Sequence, residues 1–363
     1  MDTVTFVLFL VGLVVLILGA EALVRGASRL ATSVGISPLV VGLTVVAFGT
    51  SSPELAVTLQ SAFAGQSELA VGNVVGSNIA NVLLILGLAA VIAPLVADLR
   101  LIRLDVPIMI GLSLLLLGLA WNGTLGRLDG LLLFTIAVVY TVYAVRESRK
   151  ESDKVKKEYA QQFGTGAGRT TKSVLIQVGF IVAGLAMLIV GSRWLVDGAT
   201  AIARTLGVSE LIIGSTIVAI GTSLPEIAIT VMASIKGERD IAVGNAVGSN
   251  IANITVVLGL TAVLAPQGIT IPPAALTFDI PVMIVVAVAC LPIFFTGGAI
   301  SRAEGVFFLL YYVAYIGYLL LEAAQHPALP AFTVFIFAFA LPLTAVTLAI
   351  LVRRARRERR APG

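Results

Sequence analysis

Apolar residues run along this chain in long blocks, not in the two-residue alternation of a half-buried strand or the narrow stripe of a helix on a soluble core. A helix needs about 20 residues to cross a hydrocarbon layer of ~30 Å. Eleven blocks reach that length, near 3–25, 38–63, 68–93, 101–120, 126–146, 173–197, 209–235, 241–265, 273–296, 303–323 and 330–352. They predict an all-α membrane protein. The first block is read as a retained helix and not a cleaved signal, because Asp2 stands where a basic leader would be and the pattern continues through Glu21 toward Arg29. One long hydrophilic stretch, Arg146 to Lys172, mixes both charge signs, ends Gly-rich and parts five spans from six. It reads as a linker too short to hold a domain.

Composition removes the soluble classes. Of 363 residues 58% are hydrophobic and 12% charged, and the mean hydropathy is +1.04, so the chain's first partner is a lipid bilayer. Orientation follows from Lys and Arg, which collect in cytoplasmic loops. With the N-terminus outside, 21 of the 24 fall on the cytoplasmic side and only Arg127, Arg193 and Arg204 outside. The expectation is a multi-pass protein of the cell (inner or plasma) membrane with a cytoplasmic C-terminus. The basic tail RRARRERR reads as an anchor for that orientation, not a nucleic-acid patch. Cys290 is the single cysteine, so no intrachain disulfide can form.

Self-similarity then organises the blocks. A shift of 172 residues superposes Val41–Ala90 on Ile213–Ala262 with 27 of 50 positions identical, and a weaker match reaches back to Gly19 and Gly191. One period holds five spans, an odd number, so the second copy must thread the membrane in the opposite sense. The expected architecture is a pair of inverted five-helix repeats, ten transmembrane helices, plus one extra C-terminal transmembrane helix. Its parts are a first repeat at 1–146, a cytoplasmic linker at 147–172, a second repeat at 173–323, and the extra helix with its tail at 324–363. In such folds substrates bind near the midplane where the copies meet.

Both copies carry the same polar phrases inside apolar spans. Gly49-Thr50-Ser51-Ser52-Pro53-Glu54 answers Gly221-Thr222-Ser223-Leu224-Pro225-Glu226, and Gly72-Asn73 through Asn81 answers Gly244-Asn245 through Asn253. A proline at mid-span removes a backbone donor and breaks or kinks the helix, releasing carbonyl oxygens that hydrocarbon cannot satisfy. A glutamate at that depth costs on the order of 3 kcal/mol. Two at equivalent places point to a task, since neither span offers a basic partner; the plainer reading is a pair of protonated acids tying helices together. Thr50, Ser51, Glu54, Ser77 and Asn81, with Thr222, Ser223, Glu226, Ser249 and Asn253, form an all-oxygen set that suits hard cations such as Ca2+ and Na+. Each hydroxyl could instead bond back to its own helix. The glycines at 72, 76 and 87, with 244, 248 and 259, read as close-packing positions. Glu21, Asp105, Asp197 and Asp279 lie nearer span ends or have no equivalent acid in the other copy, and read as interfacial or structural.

These phrases, GTSSPE with GNVVGSNIAN and GTSLPEI with GNAVGSNIAN, closely resemble the two alpha repeats of the sodium/calcium exchanger family, prokaryotic type, within the cation/calcium antiporters. The resemblance implies a cavity in which Glu54 and Glu226 bind Ca2+ while neighbouring hydroxyls and carbonyls complete Na+ sites. Its lining would be Ala47, Thr50, Ser51, Ser77, Asn81, Ala219, Thr222, Ser223, Ser249 and Asn253, with Ala47 and Ala219 acting through carbonyls. It also implies that the first and sixth spans slide against a rigid core. No cofactor is implied; Ca2+ and Na+ are the cargo. Some family members have Asp where this chain has Asn253, which argues against potassium dependence here and leaves two formal charges in the cavity. One Ca2+, two Na+ or two H+ would each neutralise them, so the ions can compete for one place. A proton-coupled Ca2+ antiporter is therefore the nearest alternative, and a cation channel the next. An enzyme is not expected, for the chain has neither His-Glu-x-x-His nor Gly-x-Ser-x-Gly.

Overall fold

A computed structural model describes residues 3–96, 98–149, 171–206, 219–297 and 299–336. Most of the linker, residues 207–218 with the start of the seventh expected span, and the greater part of the eleventh span with its basic tail lie outside the described residues. The chain is helical: α1 (Thr3–Val34), α2 (Pro38–Thr50), α3 (Ser52–Phe63), α4 (Ser67–Ile92), α5 (Leu101–Asn122) and α6 (Arg127–Arg149) precede the linker. After it come α7 (Thr171–Thr205), α8 (Ala219–Thr222), α9 (Leu224–Ile235), α10 (Arg239–Leu264), α11 (275–297), α12 (Arg302–Ala323) and α13 (Leu329–Phe335). Seven of the described helices are each long and apolar enough to cross a membrane, and α2 with α3 makes an eighth span bent by 42°. The protein is thus a multi-pass membrane protein.

Glycine spacing explains how α1 and α7 lie together. Gly12, Gly19 and Gly26 recur every seven residues on α1, as do Gly184, Gly191 and Gly198 on α7. Gly12 faces Gly191, Gly19 faces Gly184 and Gly26 faces Gln177, so the two helices run antiparallel. A methyl on Gly19 would come within 3.0 Å of the Gly184 carbonyl oxygen, and one on Gly184 within 2.8 Å of that of Gly19. Lipid supplies no hydrophobic drive between helices, and close backbone approach through small residues takes its place.

The most buried spans are α4 and α10, which form the centre. Gly244 and Gly248 of α10 receive α2 at Leu39, Leu43 and Ala47; Gly87 of α4 meets Gly305 and Phe308 of α12; Gly259 of α10 meets Gly130 and Phe134 of α6. Four of the six glycines expected to pack do so. Gly72 and Gly76 meet nothing that near among the described residues; the equivalents of Leu39 and Leu43 would fall at 211 and 215, outside them. Two short antiparallel ribbons tie helix ends. Strands β1 (Leu95–Val96) and β4 (Ala299–Ile300) join the end of α4 to the start of α12, and β2 (Thr124–Leu125) and β3 (Ile269–Thr270) join the start of α6 to the end of α10.

Candidate cation site

The two Gly-Thr-Ser phrases break their helices in the same way. Ser51 leaves the helical region with φ −77° and ψ 7°, and Ser223 with φ −88° and ψ 5°. Pro53 and Pro225, near the start of the next helix, have no N–H to return to the carbonyls of Gly49 and Gly221. Glu54 and Glu226 thereby fall in the first turn of α3 and α9, where unsatisfied N–H groups and the helix dipole favour negative charge. The central helices answer with a wide turn each: Asn81 opens a π-helical turn over Asn81–Leu86 and Asn253 one over Asn253–Leu258. Such turns move side chains out of helical register and recur at functional sites.

These elements bury the acids instead of offering them to lipid. Glu54 and Glu226 are each 1% exposed, and Thr50, Ser51, Ser77, Asn81, Ser223, Ser249 and Asn253 are buried as well. The two carboxyl groups are near enough to repel each other. Their hydroxyl neighbours cross over between the copies. The Ser223 hydroxyl donates to Glu54 Oε1 at 3.4 Å and stands 3.3 Å from Ser77 Oγ, while Thr50 and Ser51 flank Glu226. Among the described residues, seven buried oxygens on this set have no hydrogen-bond partner: Ser51 Oγ, Glu54 Oε2, Asn81 Oδ1, both carboxylate oxygens of Glu226, Ser249 Oγ and Asn253 Oδ1. Buried polar atoms are nearly always paired. Three carboxylate oxygens and four amide or hydroxyl oxygens of one buried set thus lack a donor, and their all-oxygen chemistry fits hard cations.

A frame of further polar residues holds the breaks in place. Asn73 donates to the Glu54 carbonyl oxygen at 3.2 Å and to Thr58 Oγ1 at 3.0 Å, and accepts from the Thr222 hydroxyl at 3.4 Å. Asn245 donates to the Glu226 carbonyl at 3.5 Å and to Thr230 Oγ1 at 3.0 Å, and accepts from the Thr50 hydroxyl at 3.2 Å. Each asparagine thus pins its own glutamate's backbone to the opposite phrase's threonine. Thr50 also donates to the Ala47 carbonyl at 3.3 Å, which already accepts from Ser51 N–H at 3.0 Å. Ala47 is buried beside the site; Ala219 opens α8, and its side chain lies outside what is described.

Sequence reading named two acids, six hydroxyl residues, two asparagines and two alanines, and ten of those twelve residues are buried: Thr222 is half-buried at the edge, and Ala219 is set only by its backbone. It gave no role to Asn73, Asn78, Asn245, Asn250, Thr58 or Thr230. Their signal was present, for all six are identical between the copies. One reading needs correction: Asp105 and Asp279 do have counterparts in each other. Each ends a π-turn, Leu101–Asp105 and Ala275–Asp279, two residues before a proline, and each accepts from a tyrosine, Tyr140 at 3.0 Å and Tyr315 at 3.4 Å. They are 174 residues apart, and a search at a fixed shift of 172 passes over them.

Comparison with known proteins gives the chain its relatives. The family model described as sodium/calcium exchanger protein matches residues 4–146 and 176–321. The chain is 40% identical over 287 residues to inner membrane protein YrbG of Escherichia coli, covering 77% of this chain and 86% of that one. It is 34% identical over 346 residues to sodium/calcium exchanger MaX1 of Methanosarcina acetivorans, covering 87% and 98%. A solved structure of the sodium-calcium exchanger NCX_Mj superposes with a TM-score of 0.74 at 28% identity, covering 87% of this chain and 99% of that one.

Proposed function

Because this chain belongs to the sodium/calcium exchanger family, we propose that it is a secondary active antiporter that exchanges Ca2+ for Na+ by alternating access. The single observation that carries the reading is the shell of buried, unpartnered oxygens around Glu54 and Glu226. In it the two glutamates hold Ca2+. Thr50, Ser51, Ser77, Asn81, Thr222, Ser223, Ser249 and Asn253, with the Ala47 and Ala219 carbonyls, complete the Ca2+ and Na+ positions. Two negative charges balance one Ca2+ or two Na+, so either ion discharges the cage and excludes the other. Mutual exclusion at one site is what exchange requires.

The proposed frame is a pair of inverted five-helix repeats, 1–146 and 173–323, joined by the 147–172 linker and followed by an extra helix and tail at 324–363. The antiparallel α1–α7 pair supports it, since the glycines at 12, 19 and 26 and those at 184, 191 and 198 are the same positions shifted by 172. So do the paired breaks at Ser51 and Ser223. The excess of Lys and Arg on one side supports an outside N-terminus and a cytoplasmic C-terminus.

The test uses purified protein in vesicles loaded with Na+ and diluted into medium free of Na+ and K+, with radioactive Ca2+ outside. Uptake that needs the outward Na+ gradient and persists with a proton uncoupler is expected. Uptake driven by a pH gradient alone would overturn Na+ coupling in favour of proton exchange, and flux that needs no counter-ion would make the protein a channel.

A further inference from the structure

Beyond the ligand set, four asparagines and two methionines are joined crosswise at the centre of the molecule. Asn81 Nδ2 donates to Asn250 Oδ1 at 2.9 Å, and Asn250 Nδ2 donates to Met109 Sδ at 3.3 Å. In the other sense Asn253 Nδ2 donates to Asn78 Oδ1 at 3.0 Å, and Asn78 Nδ2 donates to Met283 Sδ at 3.5 Å and to the Asn250 carbonyl oxygen at 3.3 Å. All six side chains are at most 2% exposed. The outward oxygens of Asn81 and Asn253 are among those without a partner.

An amide is nearly symmetric in shape and opposite in chemistry at its two ends: the oxygen is a cation ligand, and the NH2 group repels a cation. Half a turn of Asn81 or Asn253 would replace a ligand by two N–H donors. Something must fix the sense of each. A thioether sulfur has no hydrogen to give, so Met109 and Met283 accept only the NH2 end of Asn250 and Asn78. That leaves the Asn250 and Asn78 oxygens facing inward, where only an NH2 group can meet them. Asn81 and Asn253 must therefore turn their own oxygens away from Asn250 and Asn78, and those are the oxygens left without a partner among the described residues. The backbone carbonyl of Asn250, also an acceptor only, enforces the same sense on Asn78.

We infer that Asn78 and Asn250, polarised by Met283 and Met109, are positioning residues that hold the amides of Asn253 and Asn81 oxygen-first toward the transported cation. The inference rests on the cation-site reading above and deepens it. It also assigns the two methionines a polar duty that hydrophobic packing would not require.

The test measures Na+-driven Ca2+ uptake in vesicles for the parent, Asn250→Leu, Asn81→Ala, the double variant and Glu54→Gln, with the amount of inserted protein recorded for each. Residues that orient a metal ligand typically change affinity by about 10-fold or more. Asn250→Leu is expected to raise the Ca2+ KM about 10-fold while the maximal rate stays near the parent's. In the Asn81→Ala background the same change is expected to add nothing, because the oxygen it orients is gone. A parental KM for Asn250→Leu alongside an inactive Glu54→Gln overturns the inference and leaves the site standing. Multiplying effects in the double variant overturn it too, since they mean that Asn250 acts through packing. Normal exchange by Glu54→Gln overturns the site and this inference together. Should Asn250→Leu fail to insert, the volume-conserving Met109→Leu decides: a raised KM supports the orienting role, and a parental one overturns it.

Discussion

The two copies of the site phrase and the two turns that follow them differ in how much they have been allowed to diverge. Gly49–Glu54 and Gly221–Glu226 differ at one position, Ser52 against Leu224, and break at the same serine. At the far end of the next helix the backbones still agree. Gly65 has φ 74° and Gly237 φ 77°; Gln66 N–H reaches Ser61 O at 2.8 Å, and Glu238 N–H reaches Ala233 O at 2.9 Å. The side chains there do not agree. Ala64 and Gln66 in the first copy stand against Lys236 and Glu238 in the second, and Lys236 bonds Glu21 of α1 at 2.9 Å. Likeness is kept at the buried phrases that carry the two acids, and is lost at the turns, where each copy meets its own surroundings.

If the cage needs both halves equally, removing either charge must end transport. Glu54→Gln or Glu226→Gln is expected to abolish Ca2+ exchange while the protein still inserts and folds, since each leaves a shape of the same size. Vesicle uptake with a parallel assay of folded, inserted protein checks this, and normal transport by both variants would break the equivalence. The α1–α7 contact is the next largest effect. Gly184→Leu places bulk where even a methyl would lie 2.7 Å from Leu23 N and 2.8 Å from the Gly19 carbonyl, and forced overpacking costs on the order of 1–3 kcal/mol. Thermal unfolding in detergent is expected to show a clear loss for Gly184→Leu and for its counterpart Gly12→Leu. A loss confined to one of them would separate two helices that otherwise look interchangeable.

Much of this was legible in residues, and the reasons are physical. Long apolar blocks read directly as spans because lipid imposes length and satisfied backbone. The acids were legible because a charge at that depth is too costly to occur twice at matched places without cause. Asn73, Asn78, Asn245 and Asn250 were not singled out, because an asparagine that binds a cation and one that orients its neighbour look alike in sequence. Only the partner of each NH2 group separates them, and those partners are up to 205 residues away, as with Asn78 and Met283. Asp105 and Asp279 were hidden by a two-residue change in repeat length. Met109 and Met283 were hidden by the same change, for they too are 174 residues apart, each four residues after its aspartate.

The hydroxyls refine the comparison within the cage. Ser77 and Ser223 face each other at 3.3 Å, and Ser223 already serves Glu54. Their equivalents in the other copy, Ser249 and Ser51, have no hydrogen-bond partner among the described residues. A hydroxyl that is already bonded in the empty site gains less from an arriving ion than one that is unbonded. Ser51→Ala and Ser249→Ala are therefore expected to raise the KM for Ca2+ or Na+ about 10-fold, and Ser77→Ala and Ser223→Ala about 3-fold, on the scale of about 1.4 kcal/mol per tenfold. Equal losses from all four would make the cage symmetric in use despite its unequal bonding.

The smallest effect lies at the turn, where one copy can be given the other's residue. Glu238 is 8% exposed beside Ser28, and burial pushes its carboxyl above the usual range, with Asp240 adding to the rise and the Ser28 hydroxyl and Lys236 opposing it. An acid whose folded pKa is raised favours its neutral form in the folded protein. Its contribution to stability is present at low pH and is lost as pH rises through that raised value. Glu238→Gln, which installs the residue type found at position 66, keeps the shape and an acceptor for Ser28 but carries no charge to bury. The variant is expected to melt on the order of 1 °C higher than the parent at pH ~7–8, with the gain fading toward pH ~4. Adding Lys236→Ala, the residue type of position 64, removes the cation that eased the acid's charge and also the bond to Glu21. It should therefore lower stability in the parent, and less so in the Glu238→Gln background, where there is no carboxylate at that position to support. A gain that grows on acidification would reverse the sign and mean that the turn's acid is held charged by its neighbours, making the divergence of the two turns one of pairing rather than of burial.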